Sequence, residues 1–350
     1  MSTLDQLDAI DKQLTTIMQE EIPISEHPFR DLGQKVGVSE AECLERVRRL
    51  KDQNIIRQIG VIFDSRNMGY KSSLVAIKAD PEKCDQVAAV VSEHPGVSHN
   101  YKRNHEFNIW FTIAVPPGQS LERHVEAIHK ASGAISTRIM QTLRLYKIGV
   151  KLDLTDEGRK TENLTAKEKA PVWDKLLEEP AKLSEEDIAY IRELQEDLAL
   201  VEQPYVEMAA RLGVPFPRLK EKTVEMHDRG LFRRNAAILN HRKAGFKSNG
   251  MGVWRVDESE VDKYGEMFGQ YRAVSHCYRR PVYADWKYNL FTMVHGESDD
   301  ACRHIIAELS KDSGLKDYTV LFSTTEYKKN RVVYFPKGET YPEWCQEAQG

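Results

Sequence analysis

Two stretches of the chain set an imidazole, a phenol and a guanidinium at alternate positions. One is Val274-Ser275-His276-Cys277-Tyr278-Arg279-Arg280-Pro281, which runs on to Trp286-Lys287-Tyr288-Asn289-Leu290-Phe291-Thr292. The other is Val97-Ser98-His99-Asn100-Tyr101-Lys102-Arg103, with Asn108-Ile109-Trp110-Phe111-Thr112 behind it. In a strand, period-two alternation puts His276, Tyr278 and Arg280 on one face, and His99, Tyr101 and Arg103 on one face of the counterpart. A solvent-facing side of a sheet explains one such face. The same His-x-Tyr-x-Arg order twice points to a site. An imidazole gives or takes a proton near neutral pH, and guanidinium forks grip carboxylates.

More cations and flat rings gather in the second half: Arg233, Arg234, His241, Arg242, Lys243, Lys247, Arg279, Arg280 and Lys287, interleaved with Tyr278, Tyr283, Trp286 and Tyr288. Singly, each arginine reads as a solvated charge and each aromatic as core. Together, beside a duplicated histidine, they suit a large flat ligand carrying several carboxylates. Four residues (104–107) separate Arg103 from Asn108, and eight (281–288) separate Arg280 from Asn289. The longer turn, with Pro281, Tyr283, Asp285 and Trp286, is expected to fold as a lid. His105 adds an imidazole in the shorter one, a place where histidine is ordinarily solvent-exposed.

The elements that must hold these residues repeat along the chain. Leu7, Ile10, Leu14, Ile17 and Met18 mark a helix over 4–20, and Phe29–Val36 a short one stopped by Gly37. Ser39-Glu40-Ala41-Glu42 reads as a capping box opening a third helix to about Asp52. Ile55–Phe63 then reads as a wing, completing a winged helix-turn-helix. From Ser72 the order is strand, helix (Pro81–Ser92), hairpin (Val97–Arg103 with Phe107–Val115), helix (Ser120–Ala131) and one strand, Thr137–Gly149. That βαββαβ order is the ferredoxin-like plan. The pattern then recurs, with Ser184-Glu185-Glu186-Asp187 capping a helix and Gly245-Phe246-Lys247-Ser248 echoing Gly69-Tyr70-Lys71-Ser72.

The expected fold is therefore α+β: a tandem duplication of winged helix-turn-helix plus ferredoxin-like domain, forming an internal pseudo-dimer whose sheets pack on one another. The expected boundaries are 1–65 and 66–150 for the first pair, 151–183 for a linker, 184–243 and 244–335 for the second pair, and 336–350 for a tail.

Bulk properties narrow the function. The 350 residues, 41% hydrophobic and 30% charged with net charge −4, describe a globular protein with no general attraction to nucleic acid or anionic lipid. No run reaches the ~20 apolar residues of a membrane span, and Met1–Asp5 lacks the basic-then-apolar order of a secretory signal. Five scattered cysteines without a Cys-x-x-Cys pair imply reduced thiols in a cytoplasm and no structural zinc or iron–sulfur site. A helix-turn-helix raises DNA binding. Against it, the first recognition helix opens with Glu40, Glu42 and Glu45, and Arg46, Arg48 and Arg49 follow as natural partners for those carboxylates. The second helix offers Arg218, Lys220 and Lys222 behind Pro215 and Pro217. Carboxylates at the groove oppose the phosphate contacts that supply most affinity, so the module reads as a scaffold.

Phe29-Arg30-Asp31-Leu32 through Arg46–Leu50 resembles the Lrp/AsnC-type regulators. Asn235–Phe246, Val274–Pro281 and Tyr288–Gly296 look like the siroheme decarboxylases, and Val97–Tyr101 with His105–Thr112 looks like their partner subunit. The resemblance covers nearly the whole chain and implies two related subunits fused into one. It implies removal of the acetate carboxyl groups at C12 and C18 of siroheme, giving 12,18-didecarboxysiroheme on a route to haem d-type cofactors or to haem. It implies no added cofactor, the iron arriving with the substrate. On that footing His276 is the proton donor and His241 a second acid or a neighbour of the iron. Arg233, Arg242 and Arg280 clamp carboxylates, and Tyr278 and Trp286 wall the ring. Arg234, Lys247, Arg279, Tyr283, Asn289, His99, Tyr101 and His105 complete the expected substrate contacts. One working site per chain is expected, in the second half, with His99 or His105 reaching across; further homodimerisation stays open. A ligand-sensing transcription regulator and a haem carrier without catalysis are the rival readings.

Overall fold

The structure is a computed structural model that describes residues 7–148, 179–239, 248–338 and 341–349. Each half begins with three helices: α1 (Ala9–Glu20), α2 (Pro28–Val36) and α3 (Glu40–Asp52) in the first, α6 (Glu185–Leu194), α7 (Pro204–Arg211) and α8 (Phe216–Asp228) in the second. Three of their starts are set by side-chain caps, and the other three carry proline in the first turn. Asp8 accepts the Asp11 amide, Ser39 accepts the Glu42 amide, and Ser184 forms a full capping box with Asp187. Gly37, with φ 78°, stops α2 as expected.

The wing strands do not fold back on their own halves. β1 (Ile56–Phe63) pairs antiparallel with β7 (Phe232–Leu239), Gly60 opposite Ala236, in a two-stranded ribbon shared by both halves. Asn54 and Gly230, at φ 55° and 70°, turn the chain into these strands at equivalent places. Beneath the ribbon Leu14, Met18, Phe29 and Val47 meet Ile191, Tyr205, Leu219 and Met226 in one apolar core. Neither helical unit therefore has a core of its own.

The ferredoxin-like strands are β2 (Lys71–Lys78), β3 (Val97–Arg103), β4 (Ile109–Val115), β5 (Ser136–Met140), β6 (Arg144–Ile148), β8 (Ser248–Trp254), β9 (Val274–Arg279), β10 (Leu290–Gly296) and β11 (Tyr318–Lys329). Helices α4 (Cys84–Glu93) and α5 (Leu121–Ser132) cover the first half, α9 (Val261–Gly269) and α10 (Asp299–Ser313) the second. The strands form one sheet in the order β5-β2-β4-β3-β11-β8-β10-β9-β6.

One expectation is corrected here and another extended. The strand expected over Thr137–Gly149 is two strands: β5 pairs with β2 of its own half, and β6 pairs with β9 of the other. β11 does the reciprocal, pairing first with β8 and then with β3. The two sheets therefore join edge to edge and also face one another across a shared core, Trp110 on β4 lying 6.5 Å from Phe291 on β10. Only residues 141–143 separate β5 from β6, so the chain steps directly from one sheet edge to the other. The inner face is packed by residues of both halves: Ala76, Phe107, Trp110 and Met140 against Met251, Val253, Trp286, Phe291 and Leu321.

Candidate functional site

On β9, His276 and Tyr278 share a face as alternation requires, their rings 6.1 Å apart and 21° from parallel. The Arg280 guanidinium lies 4.7 Å over the Tyr278 ring and 5.3 Å over Phe291, and it donates through Nη1 to the Met140 carbonyl. Burial raises the pKa of the Tyr278 phenol and lowers that of Arg280 to about 10. The charges of Arg66 and Arg233 also bear on Tyr278. Arg66 lies in the turn after β1 and Arg233 on β7, so the shared ribbon brings cations of both halves to this face. Arg233 donates to Asp64 Oδ2 at 3.1 and 3.2 Å, which neutralises part of its charge.

The backbone under His276 is irregular. Met293 pairs with His276 and Val294 with Val274, so Ser275 is the extra residue of a β-bulge. A bulge re-aims neighbouring side chains. Here Ser275 Oγ lies 2.9 Å from His276 Nδ1, 2.8 Å from His295 Nε2 and 3.1 Å from the Met293 carbonyl. His295 Nδ1 in turn lies 2.6 Å from Asn249 Oδ1 across the β10–β8 ladder. Neither Ser275 nor His295 was picked out by sequence reasoning, because a bulge leaves no mark on hydrophobic alternation.

Several expected contacts lie elsewhere. Arg279 points to the opposite face of β9 and is ion-paired with Glu258 and with Asp262 at 3.6 Å. Asn289 is buried, its Nδ2 donating to the Val256 carbonyl at 2.8 Å and its Oδ1 accepting the Val256 amide at 3.0 Å. Asn108 does the same with Ala79, so both asparagines satisfy backbone groups that would otherwise be orphaned. Trp286 packs into the core and is not an exposed lid. It is 2% exposed, with His105, Trp110 and Tyr288 all at 5.3 Å, because the apolar interior is the cheapest place for so large a ring. The turn that carries it is tied down, Tyr283 donating to the Ile139 carbonyl at 2.6 Å beneath Arg138.

Arg234 is exposed, beside a register shift that leaves Arg233 unpaired in the ribbon. His105 is half-buried against Trp286, its pKa lowered by burial, and its Nδ1 accepts the Phe107 amide. His99 and Tyr101 lie on β3, their rings 6.2 Å apart. Three strands separate β3 from β9, about 19 Å along the sheet at ~4.8 Å per strand. They belong to a second face, where burial lowers His99 to about 4 beside Lys329 and Arg57. His241, Arg242 and Lys247 lie outside the described residues.

Most of the recognition-helix cations are paired within the chain. Arg46 pairs with Asp8, Asp11 and Glu42, and Arg49 with Asp11. Lys222 and Arg229 both reach Asp187 at 2.9 Å, and Arg218 reaches Glu186. Asp11 and Asp187, each 1% exposed, do the same job in the two halves. Elsewhere His94, His124 and Cys345 bring three possible metal-ligand atoms within 4.8 Å. The Gly96 amide donates to His94 Nδ1, which leaves the His94 proton on Nε2, aimed at His124 Nδ1 2.9 Å away. That tautomer makes a neutral hydrogen-bonded chain holding the C-terminal turn, and it is the wrong one for ligation through Nε2.

Comparison with known proteins agrees with this architecture. A model of the AsnC-like ligand binding domain matches residues 67–147 and 243–328, and one of the siroheme decarboxylase NirDL-like HTH domain matches 11–57. The siroheme decarboxylase of Hydrogenobacter thermophilus is 38% identical over 336 residues, 96% of this chain and 97% of that protein. The siroheme decarboxylase alpha subunit of Desulfovibrio desulfuricans is 38% identical over 157 residues, 45% of this chain but 90% of that subunit. A crystal structure of the siroheme decarboxylase NirDL in co-complex with an iron-uroporphyrin III analogue superposes with TM-score 0.72 at 34% identity, covering 94% of this chain and 95% of that one.

Proposed function

The chain belongs to the siroheme decarboxylase family, and from that premise we propose that it removes the C12 and C18 acetate carboxyl groups of siroheme at the β9 face of its second half. The product is 12,18-didecarboxysiroheme. The observation that carries this reading is the stack of His276, Tyr278 and Arg280 lying within the field of Arg66 and Arg233. Like charges gathered around a flat phenol repel one another unless an anion joins them, and a tetrapyrrole edged with carboxylates supplies several.

Loss of CO₂ from an acetate on a pyrrole breaks the C–C bond and leaves the electron pair on the methylene carbon. The conjugated ring spreads that charge, and a general acid must protonate the carbon. His276 is that acid. The guanidiniums hold carboxylates that stay on the ring, since gripping the departing one would stabilise the ground state instead. Tyr278 forms one wall. His241 as a second acid, with Arg242 and Lys247 as further cations, completes the reading from the sequence. The reaction needs no added cofactor, because the iron belongs to the substrate. The pairing of both recognition helices' cations with buried carboxylates supports a chain without a nucleic-acid partner. The cysteine pattern supports a cytoplasmic setting.

Substitution His276→Ala tests the assignment: CO₂ release from siroheme falls about 10²–10⁴-fold, the range typical of losing a general acid. Release at the wild-type rate would remove His276 from the mechanism.

A further inference from the structure

An imidazolium at His276 is electrostatically awkward. It would stack 6.1 Å from Tyr278, a phenol over which the Arg280 guanidinium already sits at 4.7 Å, and a second cation on the same ring is disfavoured. The proton that quenches the carbanion is more cheaply stored farther back, and the bulge provides the connection. We propose that Ser275 and His295 form a proton-supply line to His276, with His295 as the store. The proposal rests on His276 being the acid.

In the loaded state His295 is protonated on both nitrogens, donating through Nδ1 to Asn249 Oδ1 and through Nε2 to Ser275 Oγ, at 2.6 and 2.8 Å. Ser275 donates its hydroxyl proton to His276 Nδ1, 2.9 Å away, which leaves the neutral His276 ring with its proton on Nε2. When the C–C bond breaks, the Nε2 proton passes to the methylene carbon and the Ser275 proton passes to Nδ1. The His295 Nε2 proton then passes to Ser275. The sum is one acetate plus one proton giving one methyl group and CO₂, with His295 left neutral. One proton from water, taken up at Nε2 of the half-buried His276 while the Nδ1 proton returns through Ser275 to His295, reloads the line before the second carboxyl group leaves.

The first half lacks the device. Its bulge is present, with Ser98 Oγ 3.0 Å from His99 Nδ1. Thr112 pairs with His99 as Met293 pairs with His276, so Ala114 stands where the second half has His295. Ser98 turns instead to Thr112 Oγ1 at 2.8 Å, a hydroxyl that stores no proton. The store therefore exists only in the half that carries the proposed acid.

The test compares Ser275→Ala, Ser275→Thr and His295→Gln with wild type and His276→Ala. It measures kcat and KM for anaerobic CO₂ release from siroheme, and the affinity for iron-uroporphyrin III. Ser275 and His295 are positioning residues, so Ser275→Ala and His295→Gln should lose on the order of 10–100-fold in kcat, less than loss of the acid itself. KM and analogue affinity should stay within about twofold, and Ser275→Thr should recover most of the rate. A wild-type kcat in either Ser275→Ala or His295→Gln overturns the line. So does a parallel loss of analogue affinity, which marks a packing role. If His276→Ala itself keeps full activity, the failure lies in the assignment of the acid and takes the line down with it.

Discussion

Arg280 and Arg103 are near-perfect controls for one another. Both are buried, both use Nη1 on a carbonyl of the other half (Met140 for Arg280, Leu321 for Arg103 at 3.0 Å), and both have a buried Nε without a partner. Replacing either by Met removes one charge-assisted hydrogen bond, worth about 1.5–3 kcal/mol, and also removes a buried charge whose desolvation offsets much of that. The two variants should therefore lose similar stability, about 1–2 kcal/mol, read as matched shifts in urea midpoint. Only Arg280 stacks on the Tyr278 that Arg66 and Arg233 also influence. If it helps hold a substrate carboxylate, R280M loses a further 1.5–3 kcal/mol of binding, about 10–150-fold in Kd, while R103M binds as wild type. Titration with iron-uroporphyrin III, followed by its visible absorption, measures this directly. Equal weakening in both variants, or none in R280M, would refute a single working face on β9.

Three further outcomes follow from the packing. Trp286→Ala should destabilise the fold by about 3–5 kcal/mol in urea denaturation, as for other buried tryptophans, because the ring fills the space between the halves; a loss under 1 kcal/mol would return Trp286 to the surface. Burial lowers His94 to about 3 and His99 to about 4, so both stay neutral when folded but take up protons once unfolded. Stability should then be flat above about pH 7 and fall as pH drops from about 6.5 towards 4, by up to about 1.4 kcal/mol per pH unit per histidine. His94→Gln should flatten that slope, and an unchanged urea midpoint between pH 7 and 5 in wild type would contradict it. Finally, with Arg46, Arg49, Lys222 and Arg229 bound to buried carboxylates, DNA fragments should show no salt-sensitive retardation between 50 and 200 mM salt.

Much of the fold could be read from residue order. The duplication, the helix starts at Ser39 and Ser184, the Gly37 stop and the strand Val97–Arg103 all follow from local chemistry. What stayed hidden depends on contacts between the halves. The split of Thr137–Gly149 into β5 and β6 has no local breaker, since only the partner half's β9 draws the second piece away. Arg279 and Arg280 look alike in sequence, yet the pleat sends one to Glu258 and the other beneath Tyr278. Asn289 and Trp286 read as polar and aromatic ligand contacts because their competing partners, the Val256 backbone and the core between the halves, are distant in the chain. The His276–Tyr278–Arg280 stack was legible from alternation alone; Ser275 and His295 needed the bulge.

The central claim is chemical, and one anaerobic incubation reaches it. Purified chain mixed with siroheme, with no added cofactor, should convert it to a product lighter by two CO₂ units in the mass spectrum. Siroheme bound but recovered at its original mass would show a carrier and contradict the account.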